Sequence, residues 1–186
     1  MDPQLSARRK ADLRLRIRTA RRALADARRS ARDAAVDARA AQLAERLGPG
    51  SVVSSYVPTR LEPGTERMLA AFAERGSRVL VPVVVGPDAA LAWRQWRQDG
   101  PDLPPEALAE AALVLVPALA VDRFGTRLGQ GGGHYDRSLR HADPEARLVA
   151  VVDDPEVVEG LPREPHDRRV GWALTPTDLV RLDDAR

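Results

Sequence analysis

One glycine-rich stretch, residues 124–139, carries the residue types best suited to chemistry. Five of the 13 glycines in the chain lie between residues 125 and 133. Their order is not that of a flexible linker, because Arg127 and Leu128 interrupt the glycines and residues 134–136 (His-Tyr-Asp) close them. Glycines admit positive φ and let other atoms approach the backbone closely. A helix that begins just after them directs unpaired N–H groups into the loop, so the stretch predicts an anion-binding loop.

Two common phosphate-binding patterns do not match this loop. The GxxxxGK[ST] pattern fails because no lysine follows the glycines, and the GxGxxG pattern fails because His134 stands where its third glycine would be. The sequence thus indicates a phosphate loop of another type. A plain tight turn between a strand and a helix stays open as the alternative, although one or two glycines suffice for a turn.

The sequence of the loop is specific enough to suggest a family. The pattern Arg127-Leu128-Gly129-x-Gly131-x-Gly133-x-Tyr135-Asp136-Arg137-x-Leu139 closely resembles the signature of the 5-formyltetrahydrofolate cyclo-ligases, also called 5,10-methenyltetrahydrofolate synthetases. The resemblance implies ATP- and magnesium-dependent conversion of 5-formyltetrahydrofolate to 5,10-methenyltetrahydrofolate, with release of ADP and phosphate. Such a transfer needs positioning and charge neutralisation rather than a protein nucleophile. The chain accordingly has no cysteine and no Gly-x-Ser-x-Gly nucleophile elbow.

The resemblance also implies which residues form the site. Arg127 and Lys10 would be catalytic, neutralising phosphate charge, and Arg14 would assist from the same face of a predicted helix. The expected ATP contacts are Lys10, Arg14, Arg127, Leu128, Gly129, Gln130, Gly131, Gly132, Gly133, His134, Tyr135 and Asp136. Asp136 would hold Mg²⁺, a hard cation that takes carboxylate and phosphate oxygens as ligands. The folate site would be lined by Tyr56, Val57, Glu62 and Tyr135.

The chain departs from the family pattern at several positions. His134 replaces the usual second tyrosine, and Gly132 stands where many members have a lysine. The usual Glu-Pro dipeptide is absent near residues 99–105, and Gly171 stands where the family places a second metal-associated acid. The motif at residues 165–167 (Pro-His-Asp) resembles a family element, although a histidine there is more often structural than catalytic.

Hydrophobic periodicity predicts the elements that position these residues. An amphipathic helix is expected from about Ser6 to Arg28, and a capping box at Ser30-x-x-Asp33 predicts a second helix, so that basic helices occupy about 6–47. Strands are predicted at 51–57, 78–85, 91–98, 113–122, 148–152 and 169–174, with a helix at 68–76 opened by Thr65 and a helical turn at 157–161. This order predicts a single-domain three-layer α/β/α sandwich over residues 1–186, with a largely parallel central sheet and an N-terminal helical pair.

The duplicated Trp-Arg-Gln triplet within residues 91–98 is expected to form an edge strand or a hairpin arm. One of its two tryptophans, Trp93 and Trp96, would then cover the core, and a tryptophan that stacks on the pterin ring is the alternative. The glycine loop would follow the apolar strand at 113–122, at the carboxyl end where such sheets bind ligands.

Composition and charge limit the functional classes. Residues 1–39 carry 12 basic and five acidic residues, whereas the remainder is net acidic. This basic segment suits phosphate or nucleic acid, but few aromatics accompany the arginines, so no nucleic acid partner is expected. No apolar run approaches membrane-spanning length, so we expect no membrane association, a cytoplasmic location and, by default, a monomer.

Two rival functions stay open at this point. A nucleotide- or RNA-binding protein on a diverged cyclo-ligase scaffold would use the basic first helix without folate activity. A protein with the same fold could instead act on another formylated or carboxylated small molecule.

Overall fold

The computed structural model describes residues 3–163 and 168–182, so the motif at residues 165–167 lies outside the described residues. The helices are α1 (Pro3–Ala23), α2 (Asp26–Glu45), α3 (Glu66–Glu74) and α4 (His134–Ser138), with short 3-10 segments at Pro105–Glu110, Leu139–His141 and Asp154–Glu156. The strands are β1 (Val52–Ser54), β2 (Arg78–Val83), β3 (Ala92–Gln95), β4 (Ala111–Pro117), β5 (Ala120–Asp122), β6 (Arg127–Leu128), β7 (Arg147–Val151), β8 (Val157–Val158), β9 (Trp172–Leu174) and β10 (Leu179–Arg181).

The central sheet has seven strands in the order β10-β9-β7-β4-β1-β2-β3. The five inner strands are parallel to one another, and the edge strands β3 and β10 are antiparallel to their neighbours. The predicted largely parallel sheet is therefore confirmed. The strand β10 was not predicted.

Alternation along the inner strands buries both faces of the sheet. In β4, Leu113 and Leu115 face a cluster with α2 and α3, whereas Val114 and Val116 face a cluster with the 3-10 segments and Leu139. Because successive side chains of a strand point to opposite faces of the sheet, one apolar strand contributes to both cores. The three-layer arrangement is confirmed, with long helices on one face and mostly short helical segments on the other.

A second, smaller sheet, with the order β6-β5-β8, differs from the sequence prediction. The predicted strand at 113–122 is two strands, because β4 ends at Pro117 and β5 joins the second sheet, where it pairs with β6 and β8. Proline has no N–H with which to continue the ladder. The helical turn predicted at 157–161 is also wrong, because the β-branched pair Val157–Val158 forms β8 beside β5. A 3-10 turn lies directly before this pair, at Asp154–Glu156.

The N-terminal helical pair is confirmed, but its break lies elsewhere than predicted. The second helix begins at Asp26, so Ser30 and Asp33 lie inside it and no capping box forms there. The chain turns at Ala25, whose backbone is extended, and the Arg29 Nη2 donates to the Leu24 carbonyl at 2.9 Å. An arginine thus satisfies a carbonyl at the end of α1, a role that periodicity does not indicate.

Two local predictions agree with the structure. Thr65 caps α3, since its Oγ1 accepts from the Arg67 amide at 3.1 Å. The strand β3 lies at the sheet edge with Trp93 fully buried in the core, and Trp93 Nε1 donates to the Pro105 carbonyl. Trp93 therefore packs in the core and offers no face to a ligand.

Candidate functional site

A cleft of about 490 Å³ lies between α1, the glycine loop and the ends of β2 and β4. The residues that line it are Ala7, Lys10, Arg14, Glu62, Pro82, Val84, Leu91, Pro117 and every residue from Arg127 to Asp136. All the predicted ATP contacts thus meet in one cleft. Of the predicted folate residues, the cleft includes Glu62 and Tyr135 but not Tyr56 or Val57.

The glycine loop, residues 129–133, offers backbone donors to the cleft. Within the described part of the chain, no amide of these five residues donates to a protein acceptor. Gly131 and Gly133 have φ of 106° and 66°, which glycine adopts without strain. Because α4 has only five residues, its dipole adds little, and attraction for an anion rests on these amides and on nearby arginines.

Arg127 lies beneath the loop and is paired with Asp136. The Arg127 side chain is 3% exposed, and its Nη2 donates to Oδ1 of Asp136, which is 29% exposed. The Nε of Arg127 is buried without a partner among the described residues. Asp136 therefore balances the charge of Arg127, while Nε of the guanidinium keeps a donor unused by any described residue.

Arginines of α1 hold the helix against the loop. Arg14 Nε donates to the Gly129 carbonyl at 2.9 Å, and Arg18 Nη2 donates to the Gln130 carbonyl at 2.8 Å and to its Oε1 at 2.9 Å. Lys10 lines the cleft one turn before Arg14. Sequence reasoning missed Arg18, although its position four residues after Arg14 places it on the same helix face.

A buried ion pair anchors the far end of α1. Arg21 donates from Nη2 to Glu156 Oε2 at 2.6 Å and from Nε to Oε1 at 2.7 Å, and it also donates to the Ala118 carbonyl. Burial raises the pKa of Glu156, and the Arg21 guanidinium opposes that rise. This pair was also missed, because its members are 135 positions apart in sequence.

The other half of the cleft contains a tyrosine and a carboxylate. The Tyr135 hydroxyl is buried with no partner among the described residues, and burial together with the charge of Glu62 raises its pKa. Glu62 Oε2 accepts from the Thr59 amide at 3.0 Å, which fixes its loop. Tyr56 is buried and donates to the Pro63 carbonyl at 2.6 Å, so it supports the loop of Glu62. Val57 is exposed.

Few side chains of the cleft could coordinate the implied magnesium ion. Among the described residues, no group of three or more histidines, cysteines, aspartates and glutamates could hold a metal ion. Asp136 is the carboxylate beside the glycine loop, and Arg127 occupies one of its oxygens. A magnesium ion in this cleft could therefore take Asp136 as one ligand, with phosphate oxygens and water as the others.

The departures from the family pattern occupy distinct places. His134 Nδ1 lies 3.2 Å from the Ala89 carbonyl, and a Cβ on Gly132 would lie 3.0 Å from the His134 ring. Gly171, by contrast, donates its amide to the Leu148 carbonyl at the start of β7 and does not line the cleft.

The parallel sheet, the loop of unpaired amides and the cluster of arginines define an α/β protein with a cleft of hydrogen-bond donors at the carboxyl ends of its strands. The chain belongs to the 5-formyltetrahydrofolate cyclo-ligase family, whose model matches residues 6–176. Among the described residues, no helix has both the length and the apolar character to cross a bilayer.

Relatives and solved structures agree with this assignment. The 5-formyltetrahydrofolate cyclo-ligase of Mycolicibacterium smegmatis is 42% identical over 144 residues, which cover 68% of this chain and 74% of that protein. The 5,10-methenyltetrahydrofolate synthetase of Mycoplasma pneumoniae has a TM-score of 0.76 at 19% identity, over 89% of this chain and 97% of the other. The synthetase of Aquifex aeolicus has a TM-score of 0.71 at 23% identity, over 95% and 94%. At such identities the two structures establish the shared fold alone.

Proposed function

We propose that the protein converts 5-formyltetrahydrofolate to 5,10-methenyltetrahydrofolate at the expense of ATP, with ADP and phosphate as the other products. The observation that carries the proposal is the composition of one cleft. Arg14, Arg127 and the unpaired amides of residues 129–133 lie on one side, and Tyr135 with Glu62 lies on the other. A triphosphate and a polar heterocycle can therefore meet between them.

The proposed reaction has two bond exchanges. The formyl oxygen bonds to the γ-phosphorus while the bond from that phosphorus to ADP breaks. The N10 nitrogen then bonds to the formyl carbon, the carbon–oxygen bond to phosphate breaks, and N10 loses its proton. Each step adds negative charge to a phosphate leaving group, ADP in the first and inorganic phosphate in the second, so fixed positive charge and orientation are what the protein must supply.

The side chains of the cleft provide these conditions in the proposal. Arg127 and Lys10 neutralise the phosphate oxygens, Arg14 assists, and the backbone of residues 128–133 orients the triphosphate. Asp136 would hold Mg²⁺, which supplies further charge neutralisation when bound. The pairing of Arg127 with Asp136 suggests an exchange of partners, in which phosphate takes Arg127 and leaves the carboxylate for the metal.

The folate half has its own polar groups. The Tyr135 hydroxyl, buried and unpartnered among the described residues, would bond to the substrate and so satisfy a group that is costly to bury alone. Glu62 would accept from ring N–H groups, as a carboxylate does. Val57 would contact the substrate from outside the present cleft, and Tyr56 would act through the loop that carries Glu62.

The test follows both products in one reaction. The protein is incubated with 5-formyltetrahydrofolate, ATP and MgCl₂, and methenyl absorbance is recorded beside ADP release. Equal amounts of the two products are expected, with none from Arg127→Met. ADP release only with a different formylated or carboxylated compound would indicate another substrate, and nucleotide or RNA binding without turnover would indicate a binding protein. Either result would overturn the proposal.

A further inference from the structure

The loop between β2 and β3, residues 84–91, is held by α4. Arg137 Nη2 donates to the Pro87 carbonyl at 3.0 Å, and its Nε donates to the Ala89 carbonyl at 3.1 Å. The Leu91 amide donates to Ser138 Oγ at 2.8 Å, and His134 Nδ1 lies against the Ala89 carbonyl. Among the described residues, every side-chain hydrogen bond to this loop comes from residues 134–138.

The same guanidinium also holds the glycine loop. Arg137 Nη2 donates to the Gly132 carbonyl at 2.7 Å, and a Cβ on Gly133 would lie 2.7 Å from Arg137 Nη1. One side chain therefore joins two loops that are about 45 positions apart in sequence. The hydrogen-bond acceptors of Arg137 in both loops are uncharged, so the shape of its donor fork matters more than its charge.

The 84–91 loop forms a wall of the cleft. Val84 and Leu91 line the same cavity as the glycine loop, and Val84 is 65% exposed. An exposed valine beside buried Leu91 gives this wall an apolar surface that suits an aromatic ring.

We propose that Arg137 is a positioning residue that fixes the apolar 84–91 wall against the glycine loop, so that nucleotide on the loop orders the wall for the folate ring. The inference rests on the proposed function for the identity of the second substrate. The contacts predict a coupling between nucleotide and the 84–91 loop. That coupling can be measured without turnover.

Two variants and one control separate the effect of the donor geometry of Arg137 from the effect of its charge. Arg137→Ala removes both, Arg137→Lys keeps the charge, and Arg140→Ala changes an exposed arginine three positions later. We expect KM for 5-formyltetrahydrofolate to rise about tenfold or more in both Arg137 variants, the scale of one lost hydrogen bond to a charged group. The affinity for ADP, measured by calorimetry, should change less than about threefold, and Arg140→Ala should match the unmodified protein.

Hydrogen exchange distinguishes the proposed coupling from a general loss of stability. In the unmodified protein, ADP should slow exchange of the amides of residues 84–91, and this protection should be absent from both Arg137 variants. Full rescue by Arg137→Lys, or a loss of ADP affinity as large as the rise in KM for 5-formyltetrahydrofolate, would overturn the proposal. So would an 84–91 loop whose exchange ADP leaves unchanged. If no methenyl product forms at all, the proposed function fails, while the ADP-dependent exchange still decides whether Arg137 couples the loops.

Discussion

Replacing Asp136 by asparagine should destabilise the protein in the absence of nucleotide. Arg127 is 3% exposed and has Asp136 as its carboxylate partner, so the variant leaves a guanidinium buried beside a neutral amide. Breaking a fully buried pair costs about 3–5 kcal/mol. Asp136 is 29% exposed, and water can replace part of the interaction, so we expect about 2 kcal/mol. In a chain of this length that loss lowers Tm by about 4–8 °C.

Calorimetric unfolding without ligand measures this change, and a magnesium titration of turnover at saturating ATP and folate measures the metal role. The magnesium requirement of Asp136→Asn should shift upwards. Asp102→Asn is the matched control, because its partner Arg94 is exposed and such pairs contribute at most about 1 kcal/mol. The double variant Arg127→Met with Asp136→Asn should recover stability, since no unpaired charge stays buried.

Two separate results would refute this reasoning. An unchanged Tm in Asp136→Asn would mean that the Arg127 pair does not stabilise the empty protein. Superimposable magnesium curves would mean that Asp136 holds no metal, and its role would then be confined to pairing with Arg127. The sequence alone predicts an almost unchanged Tm, because nothing in it indicates the partner of Asp136.

Three further predictions follow from other contacts. Lys10→Ala should raise KM for ATP about ten- to hundredfold without unfolding the protein, because hydrogen bonds to charged groups contribute about 1.5–3 kcal/mol; an unchanged KM would remove Lys10 from the site. Gly133→Ala should cost about 1–2 kcal/mol in unfolding free energy, since its φ is 66°, and should weaken ADP binding in calorimetry. Gly160→Ala, with no atom within 4 Å of its added Cβ, is the neutral control, and equal behaviour of the two would count against the strain. Arg21→Met should make stability fall more steeply as pH rises above the ordinary pKa of a glutamate, because the pKa of Glu156, already raised by burial, rises further and its ionised form becomes unfavourable in the folded state. Urea unfolding measures this slope, and a slope like that of the unmodified protein would contradict the role of the pair.

Patterns local in sequence were sufficient for much of the fold and of the cleft. The apolar run at residues 113–122 predicted a central strand, and Thr65 predicted a helix start, because both depend on near neighbours. The four-residue spacing of Lys10 and Arg14 predicted one shared helix face, and both side chains line the cleft beside the glycine loop. Chemistry that depends on residue type and spacing within one element was thus available before any tertiary contact.

Contacts between distant segments were decided only by the tertiary structure. The pairing of Arg21 with Glu156, the link from Arg137 to the 84–91 loop and the place of Val157–Val158 in a second sheet all join segments that no periodicity relates. The break between α1 and α2 carries neither glycine nor proline, and Arg29 supplies the hydrogen bond that ends α1. An arginine can reach several carbonyls or carboxylates with equal ease, so only the packed chain determines which of them it binds.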